Sequence, residues 1–309
     1  MILVVPLLLG LALTPSDSLH SREIRVATPD GQVIAAVIES ANEVGARPTV
    51  VLISGAGAHD RNGYTLVTAR GHNDAFRTLS TRLVRLGYAV VRFDKVGTGS
   101  STGDYRVHAT TASHAAHVAA IVTAIRGARE VDPERITLIG HSEGGAIAGI
   151  VAADDPRIAG VGLLAAPAWT GRRIMRYQLR YAAARRNRTV SYTSADLIEA
   201  YLVRDAAARV GTEAWYPYFL DYDPLPPMRR LRSPVLVLQG DRDEVVTAEQ
   251  AVEIAEAITA NGNAGVRLQV IPGYSHSFTG ADGGAGRVAP LSEEIISLIE
   301  DWLLMLPRG

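Results

Sequence analysis

The chain has 309 residues, 47% of them hydrophobic, with 31 basic against 32 acidic side chains and a formal net charge of -1. That is enough apolar sequence for a large buried core, and the charge balance offers no global attraction to nucleic acid or to an anionic membrane. With no cysteine, disulfides, thiolate catalysis and zinc-thiolate sites are all excluded.

Met1–Leu13 is an apolar run, of a length that suits the core of an export signal and falls short of a bilayer span. Residues 1–20 therefore read as a signal peptide or N-terminal apolar segment. No basic residue opens the run and no clean small-residue cleavage motif closes it. The expectation is export to the periplasm or exterior, with a retained anchor or a cytoplasmic protein as alternatives and no stable membrane span in the mature chain.

Alternation of apolar and polar residues over Arg22–Thr28 and Gln32–Glu39, around Pro29, Asp30 and Gly31, predicts an antiparallel hairpin at a sheet edge. Pro48–Ser54 is apolar on both faces, as a strand covered by helices must be. A glycine-bearing polar loop follows, then a helix over Asn73–Leu86 stopped by Gly87, then the strand Tyr88–Phe93, completing a βαβ unit. The loop Asp94–Gly103 leads to an alanine-rich helix over Thr110–Arg129, with Asp132 and Pro133 expected to end it.

The short apolar run from Arg135 meets a small-residue helix at Gly140, His141, Ser142, Glu143 and Gly144. This has the form of a nucleophile elbow: the glycines admit close backbone approach while the serine hydroxyl points away from the sheet. Ile158–Ala165 reads as a further strand. The alternation then lapses over an expected cap insertion, about 168–232, within a domain spanning 21–309. It resumes with the strand Pro234–Gln239, the helix Ala248–Ala260, the strand Val266–Ile271 and the helix Leu291–Leu306. This order implies the α/β class: a mostly parallel, doubly wound sheet with one inserted helical cap.

Serine is a poor nucleophile until an imidazole takes its proton and an acid fixes the imidazole's tautomer. Elbow folds present these partners later in the chain, acid before base. Asp243 follows a buried strand, with Asp241 as a turn former and Glu244 as a less suitable substitute. His276 follows the last strand and is the one histidine downstream of the elbow. Donors for an oxyanion are expected from the backbone N–H groups of Glu143 and of Ala56. The Gly55–Gly57 segment lacks the remainder of any phosphate-binding or dinucleotide pattern.

Ile53–Gly63, Arg92–Ser100 and Gly140–Gly145 together resemble the serine-nucleophile branch of the α/β-hydrolase superfamily, over about Arg22–Pro307. More narrowly, they resemble bacterial exported esterases and relatives of the S33-type serine aminopeptidases. The resemblance implies the α/β-hydrolase fold and a hydrolase needing no cofactor. The chain departs from the usual motifs at Ala58 and His59, beside the expected oxyanion hole, and at Val96, where relatives carry a loop-bracing cation.

Glu143 is expected either to stabilise its helix from the first turn or to place negative charge where a substrate amine would sit. In the cap region Ile174, Tyr177 and Tyr181 recur at helical spacing, leaving Arg172, Arg173, Arg176, Arg180, Arg185, Arg186 and Arg188 on a solvated face. Attraction of acidic substrates or membrane surfaces is the alternative use of those arginines. Trp215, Tyr216, Tyr218, Phe219 and Tyr222 form an aromatic cluster suited to cap core or pocket wall. His59, Tyr177, Tyr181, Trp215 and Phe219 are the candidate substrate-binding residues. His114 and His117 read as partly exposed helix residues with no metal role, and Gly280–Gly286 as a flexible loop beside the base. The expected activity is hydrolysis of a small-molecule carboxylic ester. An aminopeptidase or amidase, or a non-catalytic binding protein on the same fold, are the rivals, and the chain offers no indication of oligomeric state. Ser142 excludes dehalogenase and epoxide hydrolase chemistry, which requires a carboxylate at the elbow.

Overall fold

The computed structural model describes residues 19–42, 45–63, 74–185, 213–278 and 291–307. The N-terminal segment 1–18, the loop stretch 64–73, the part of the cap insertion from 186 to 212 with Arg186 and Arg188, and the glycine-rich stretch 279–290 lie outside the described residues, and with them the expectations placed there. No helix among the described residues is long and apolar enough to cross a membrane.

Eight strands form one sheet: β1 (His20–Ala27), β2 (Val33–Ser40), β3 (Arg47–Ile53), β4 (Ala89–Phe93), β5 (Val131–His141), β6 (Ile158–Leu164), β7 (Val235–Gly240) and β8 (Val266–Ile271). Their order is β1-β2-β4-β3-β5-β6-β7-β8. The hairpin β1/β2 is antiparallel and joins β4 antiparallel, and all strands from β4 to β8 run parallel. After β3 the chain crosses to β4 on one side, and β5 returns to the other side of β3. The switch point therefore lies above the C-terminal ends of β3 and β5, where open sheets of this kind form their ligand crevice.

The alternation of side chains in each strand feeds two cores. Val51, Ile53 and Leu138 meet α3 (Thr111–Ile125), α4 (Glu143–Asp154) and α8 (Ala248–Thr259), whereas Val50, Leu52 and Ile139 meet α1 (Ala75–Arg85) and α9 (Glu293–Met305). Burial on both faces explains the near-continuous apolar runs of these strands. Between β6 and β7 the chain carries α5 (Gly171–Arg185), α6 (Trp215–Asp221) and α7 (Leu225–Arg229).

Two local expectations are corrected. Helix α3 stops at Ile125, and Pro133 lies inside β5. The β3/β5 register slips between the pairs Arg47–Val131 and Thr49–Ile136, so Pro133 sits in an irregularity where its missing N–H interrupts no ladder bond. A short helix not anticipated from the pattern, α2 (Tyr105–His108), is capped by Asp104, whose carboxylate accepts from the Arg106 N–H at 2.9 Å.

Candidate active site

Strand β5 ends at His141 and α4 starts at Glu143, leaving Ser142 alone in the turn at φ 55° and ψ -122°. A non-glycine residue in such a conformation carries about 1–3 kcal/mol of strain and persists only where its surroundings hold it. Here the Ser142 N–H donates to Leu164 O at 2.8 Å and Ser142 O accepts from the Gly145 N–H at 2.9 Å. The flanking glycines are sterically required. A Cβ on Gly140 would lie 2.0 Å from the Gly144 carbonyl oxygen, and one on Gly144 would lie 2.1 Å from that of Ile53. The elbow is thus wedged directly between α4 and the end of β3.

His276, in the loop after β8, places Nε2 3.1 Å from Ser142 Oγ, and its Nδ1–H donates to Asp243 Oδ2 at 2.7 Å. That arrangement leaves Nε2 free to accept from the serine hydroxyl. Asp243 is buried and fully occupied. Oδ1 accepts from the N–H groups of Val245 at 2.7 Å and Val246 at 2.8 Å, and Oδ2 also accepts from Gln239 Nε2 at 2.8 Å. By contrast, Asp241 holds a turn through the Gly273 N–H, and the exposed Glu244 accepts from the Tyr181 hydroxyl.

Three supporting residues escaped sequence reasoning. Gln239 was read only as the end of a strand. His141 lies inside the elbow motif itself, and its Nε2–H donates to the His276 carbonyl at 2.9 Å. Burial, followed by the neighbouring His276, pushes the His141 pKa down to about 4, so the ring is neutral near pH 7. Phe278, buried at φ 53°, anchors the loop that carries His276.

Ala56, after β3, and Glu143, at the start of α4, line the same cavity as Ser142. Among the described residues neither backbone N–H is engaged by a protein acceptor. The Glu143 side chain turns away from solvent: Oε1 accepts from Thr111 Oγ1 at 2.7 Å and Trp215 Nε1 at 2.6 Å, and Oε2 lies 3.4 Å from Lys95 Nζ. Lys95 is fully buried, and its Nζ donates to the Gly55 carbonyl at 2.5 Å. Burial holds its pKa below the ordinary lysine range, opposed by the Glu143 carboxylate. Tyr105, from the unanticipated α2, accepts from the Gly57 N–H at 3.0 Å and so holds the same loop. His59 sits between the Ala56 and Gly63 carbonyls, 2.8 and 3.0 Å from its two ring nitrogens. Burial and the nearby Lys95 lower its pKa. Val96 is buried, and beside it Asp94 is paired with Arg61 from the neighbouring loop, whose Nη2 lies 2.8 Å from Asp94 Oδ2.

Among the described residues, two cavities are lined by both Ser142 and Ala56. One, of about 220 Å³, is lined mainly by apolar and aromatic side chains, among them Ile174, Met175, Trp215, Tyr216 and Phe219. The other, of about 370 Å³, contains His59, Asn62, Phe76 and His276. Tyr177 and Tyr181 line neither, contrary to their expected place in the pocket. They stack on each other, with Tyr177 against Trp169, because the inward stripe of α5 reaches the cavity only through Ile174, Met175 and Gln178. The described arginines of α5 include two tied to protein groups: Arg172 pairs with Asp221 at 2.6 Å, and Arg173 lies over Trp169 and pairs with Glu253 at 2.9 Å. His114 and His117 are buried rather than partly exposed, since α3 packs that face against the loops after β1 and β4. His117 Nε2 meets Asp30 Oδ2 at 2.8 Å. No group of three or more His, Asp or Glu side chains arranged to hold a metal occurs among the described residues.

A family model described as "Alpha/beta hydrolase family" matches residues 50–285, so the chain belongs to the α/β hydrolase family. No curated protein sequence matches it. Among solved structures it is similar to the esterase Pf2001 of Pyrococcus furiosus, at 18% identity and TM-score 0.61 over 94% of each chain. DcsB, in complex with a substrate analogue, aligns at 16% identity and TM-score 0.65 over 93% of this chain and 100% of that one. A putative dienelactone hydrolase from Klebsiella pneumoniae aligns at 17% identity and TM-score 0.59 over 93% of this chain and 99% of that one. At these identities the likeness is one of fold.

Proposed function

We propose that the protein is a serine hydrolase that cleaves carboxylic esters through an acyl-enzyme, and the observation that carries this is the continuous chain from Ser142 Oγ through His276 to Asp243. Ser142 Oγ attacks the ester carbonyl as its proton passes to His276 Nε2, and Asp243 stabilises the imidazolium. The carbonyl oxygen becomes an oxyanion between the N–H groups of Ala56 and Glu143. The intermediate collapses with cleavage of the C–O bond, and the alcohol leaves with the proton held by His276. Water then repeats the sequence on the acyl-enzyme.

The two cavities divide the substrate. Because His276 must protonate the departing oxygen, the alcohol lies in the cavity His276 lines, and the acyl group enters the aromatic cavity that includes Trp215 and Phe219. A cavity of roughly 150 Å³ holds a benzene ring, so about 220 Å³ suits a short aliphatic or arylalkyl acyl chain. The helices between β6 and β7 act as the cap that closes this side and excludes water. A peptide-amine reading is disfavoured, since the Glu143 carboxylate is already engaged by Thr111, Trp215 and Lys95.

The test is a screen of p-nitrophenyl esters of graded acyl length beside aminoacyl p-nitroanilides, with Ser142→Ala as control and a fluorophosphonate probe. Ester turnover lost in Ser142→Ala, with probe labelling at Ser142, is expected. Retained turnover in that variant refutes the nucleophile, and an unlabelled, inactive protein returns the fold to a binding role. Export belongs to the same proposal and rests on Met1–Leu13. An intact N-terminus on cytosolic protein, read by mass spectrometry, is the result that refutes it.

A further inference from the structure

Lys95 is the only lysine in a chain whose other 30 basic residues, 31 less one, are arginines. It is completely buried. A buried ammonium is costly unless its partners compensate it, so its position calls for a reason beyond packing. Its partners are the Gly55 carbonyl, at 2.5 Å, and Glu143 Oε2, at 3.4 Å.

These two groups belong to the two halves of the same feature. The Gly55 carbonyl is one end of the Gly55–Ala56 peptide, whose other end is the Ala56 N–H. Glu143 carries the second N–H on its own backbone. We propose that Lys95 is the clasp of the oxyanion site, a positioning residue that ties the β3 loop to the first turn of α4 and so sets the spacing of the two donors. The inference rests on the serine hydrolase reading above.

Three features support a clasp. The Lys95 backbone is itself pinned, with its N–H donating to His59 O at 3.1 Å and its carbonyl accepting from Thr98 Oγ1 at 2.8 Å. The Gly55 peptide packs directly on the nucleophile, since a Cβ placed there would lie 3.2 Å from Ser142 Cβ. A shift of that peptide is therefore felt at the reacting atom. Lys95 also offsets the charge of the Glu143 carboxylate, which belongs to the residue carrying the second donor, while hydrogen bonding at the Gly55 carbonyl polarises the peptide and strengthens donation from its N–H. A compact ammonium suits this point contact between a carbonyl and a carboxylate, where a planar guanidinium would demand several acceptors in one plane.

The test compares Lys95→Met with the double variant Lys95→Met/Glu143→Gln, in which the ionic pair is removed as a unit and no charge is left buried. Rates are normalised to the fraction of Ser142 labelled by fluorophosphonate. Both variants are expected to lose roughly 10- to 100-fold in kcat with KM within about threefold, and affinity for a boronic acid, which mimics the tetrahedral adduct, is expected to fall by the same factor. A double variant with wild-type kcat and boronate affinity overturns the clasp. Ser142→Ala, run alongside, reports on the underlying reading: if it keeps full activity, the reading fails whatever Lys95 does. Should neither Lys95 variant fold, wild-type enzyme carrying lysine labelled with 13C at Cε alone decides the matter through the one signal of Lys95. That signal is expected to move on boronate loading, and a stationary signal overturns the proposal.

Discussion

Gly144→Ala puts the elbow geometry to a quantitative test. The added Cβ would stand 2.1 Å from the Ile53 carbonyl oxygen and 2.8 Å from that of Ser54, both backbone atoms. An ordinary carbon–oxygen contact is about 3.3 Å, so α4 and the end of β3 must part by roughly 1.2 Å. Alanine returns about 1 kcal/mol of helix propensity, whereas overpacking of this kind costs about 1–3 kcal/mol. The net expectation is a loss of up to about 2 kcal/mol in stability. The larger effect falls on the chemistry, because the displaced segment carries the Glu143 N–H and a misplacement near 1 Å costs about 100-fold. Gly149→Ala, later in the same helix, is the control: its Cβ meets only the flexible tip of Met228, at 2.7 Å, which can rotate aside. Urea denaturation and ester turnover per labelled serine measure both quantities. If Gly144→Ala matches Gly149→Ala in stability and keeps kcat within about threefold, the claim that close backbone approach positions the donor is wrong.

Other consequences are open to measurement. Trp215→Ala removes a wall of the aromatic cavity and a hydrogen bond to Glu143, so preference among esters is expected to move toward longer acyl chains; unchanged ratios of kcat/KM across the series count against the acyl assignment. His141 has its pKa depressed to about 4 in the folded protein, against an ordinary value near 6.5, so the unfolded chain takes up the proton first and stability falls as pH drops from about 6.5 to about 4. The shift corresponds to about 3 kcal/mol. The buried His114, whose pKa burial also drives down, adds to the loss with the same sign. His141→Gln is expected to flatten His141's share in urea titrations over that range, and an unaltered slope rejects it.

The elbow was legible because its requirements are local. Gly140 and Gly144 are needed where backbone meets backbone, and the run before Ser142 and the helix after it state the turn within fifteen residues. Asp243 and His276 could be named because each follows a strand in an order the sheet imposes. Boundaries were less secure where tertiary pairing outweighed local preference. Pro133 looked like a helix stop, but the slip of β5 along β3 accommodates it in a strand. Tyr177 and Tyr181 shared the period of Ile174, but period alone does not say which turn of a helix reaches a cavity.

Sequence by itself determined the parallel sheet, the serine at its switch point and the Asp243 and His276 side chains that line up with it, since each depends on short-range pattern and chain order. Only the tertiary structure decided what surrounds them. Gln239 beneath Asp243, His141 against His276, and Lys95 between Gly55 and Glu143 join residues 4, 135, 40 and 48 positions apart, and a contact formed by folding leaves no periodic trace in the chain. The physical reason is that burial makes these polar groups satisfy one another across the fold, and which of them are neighbours is settled by packing rather than by pattern.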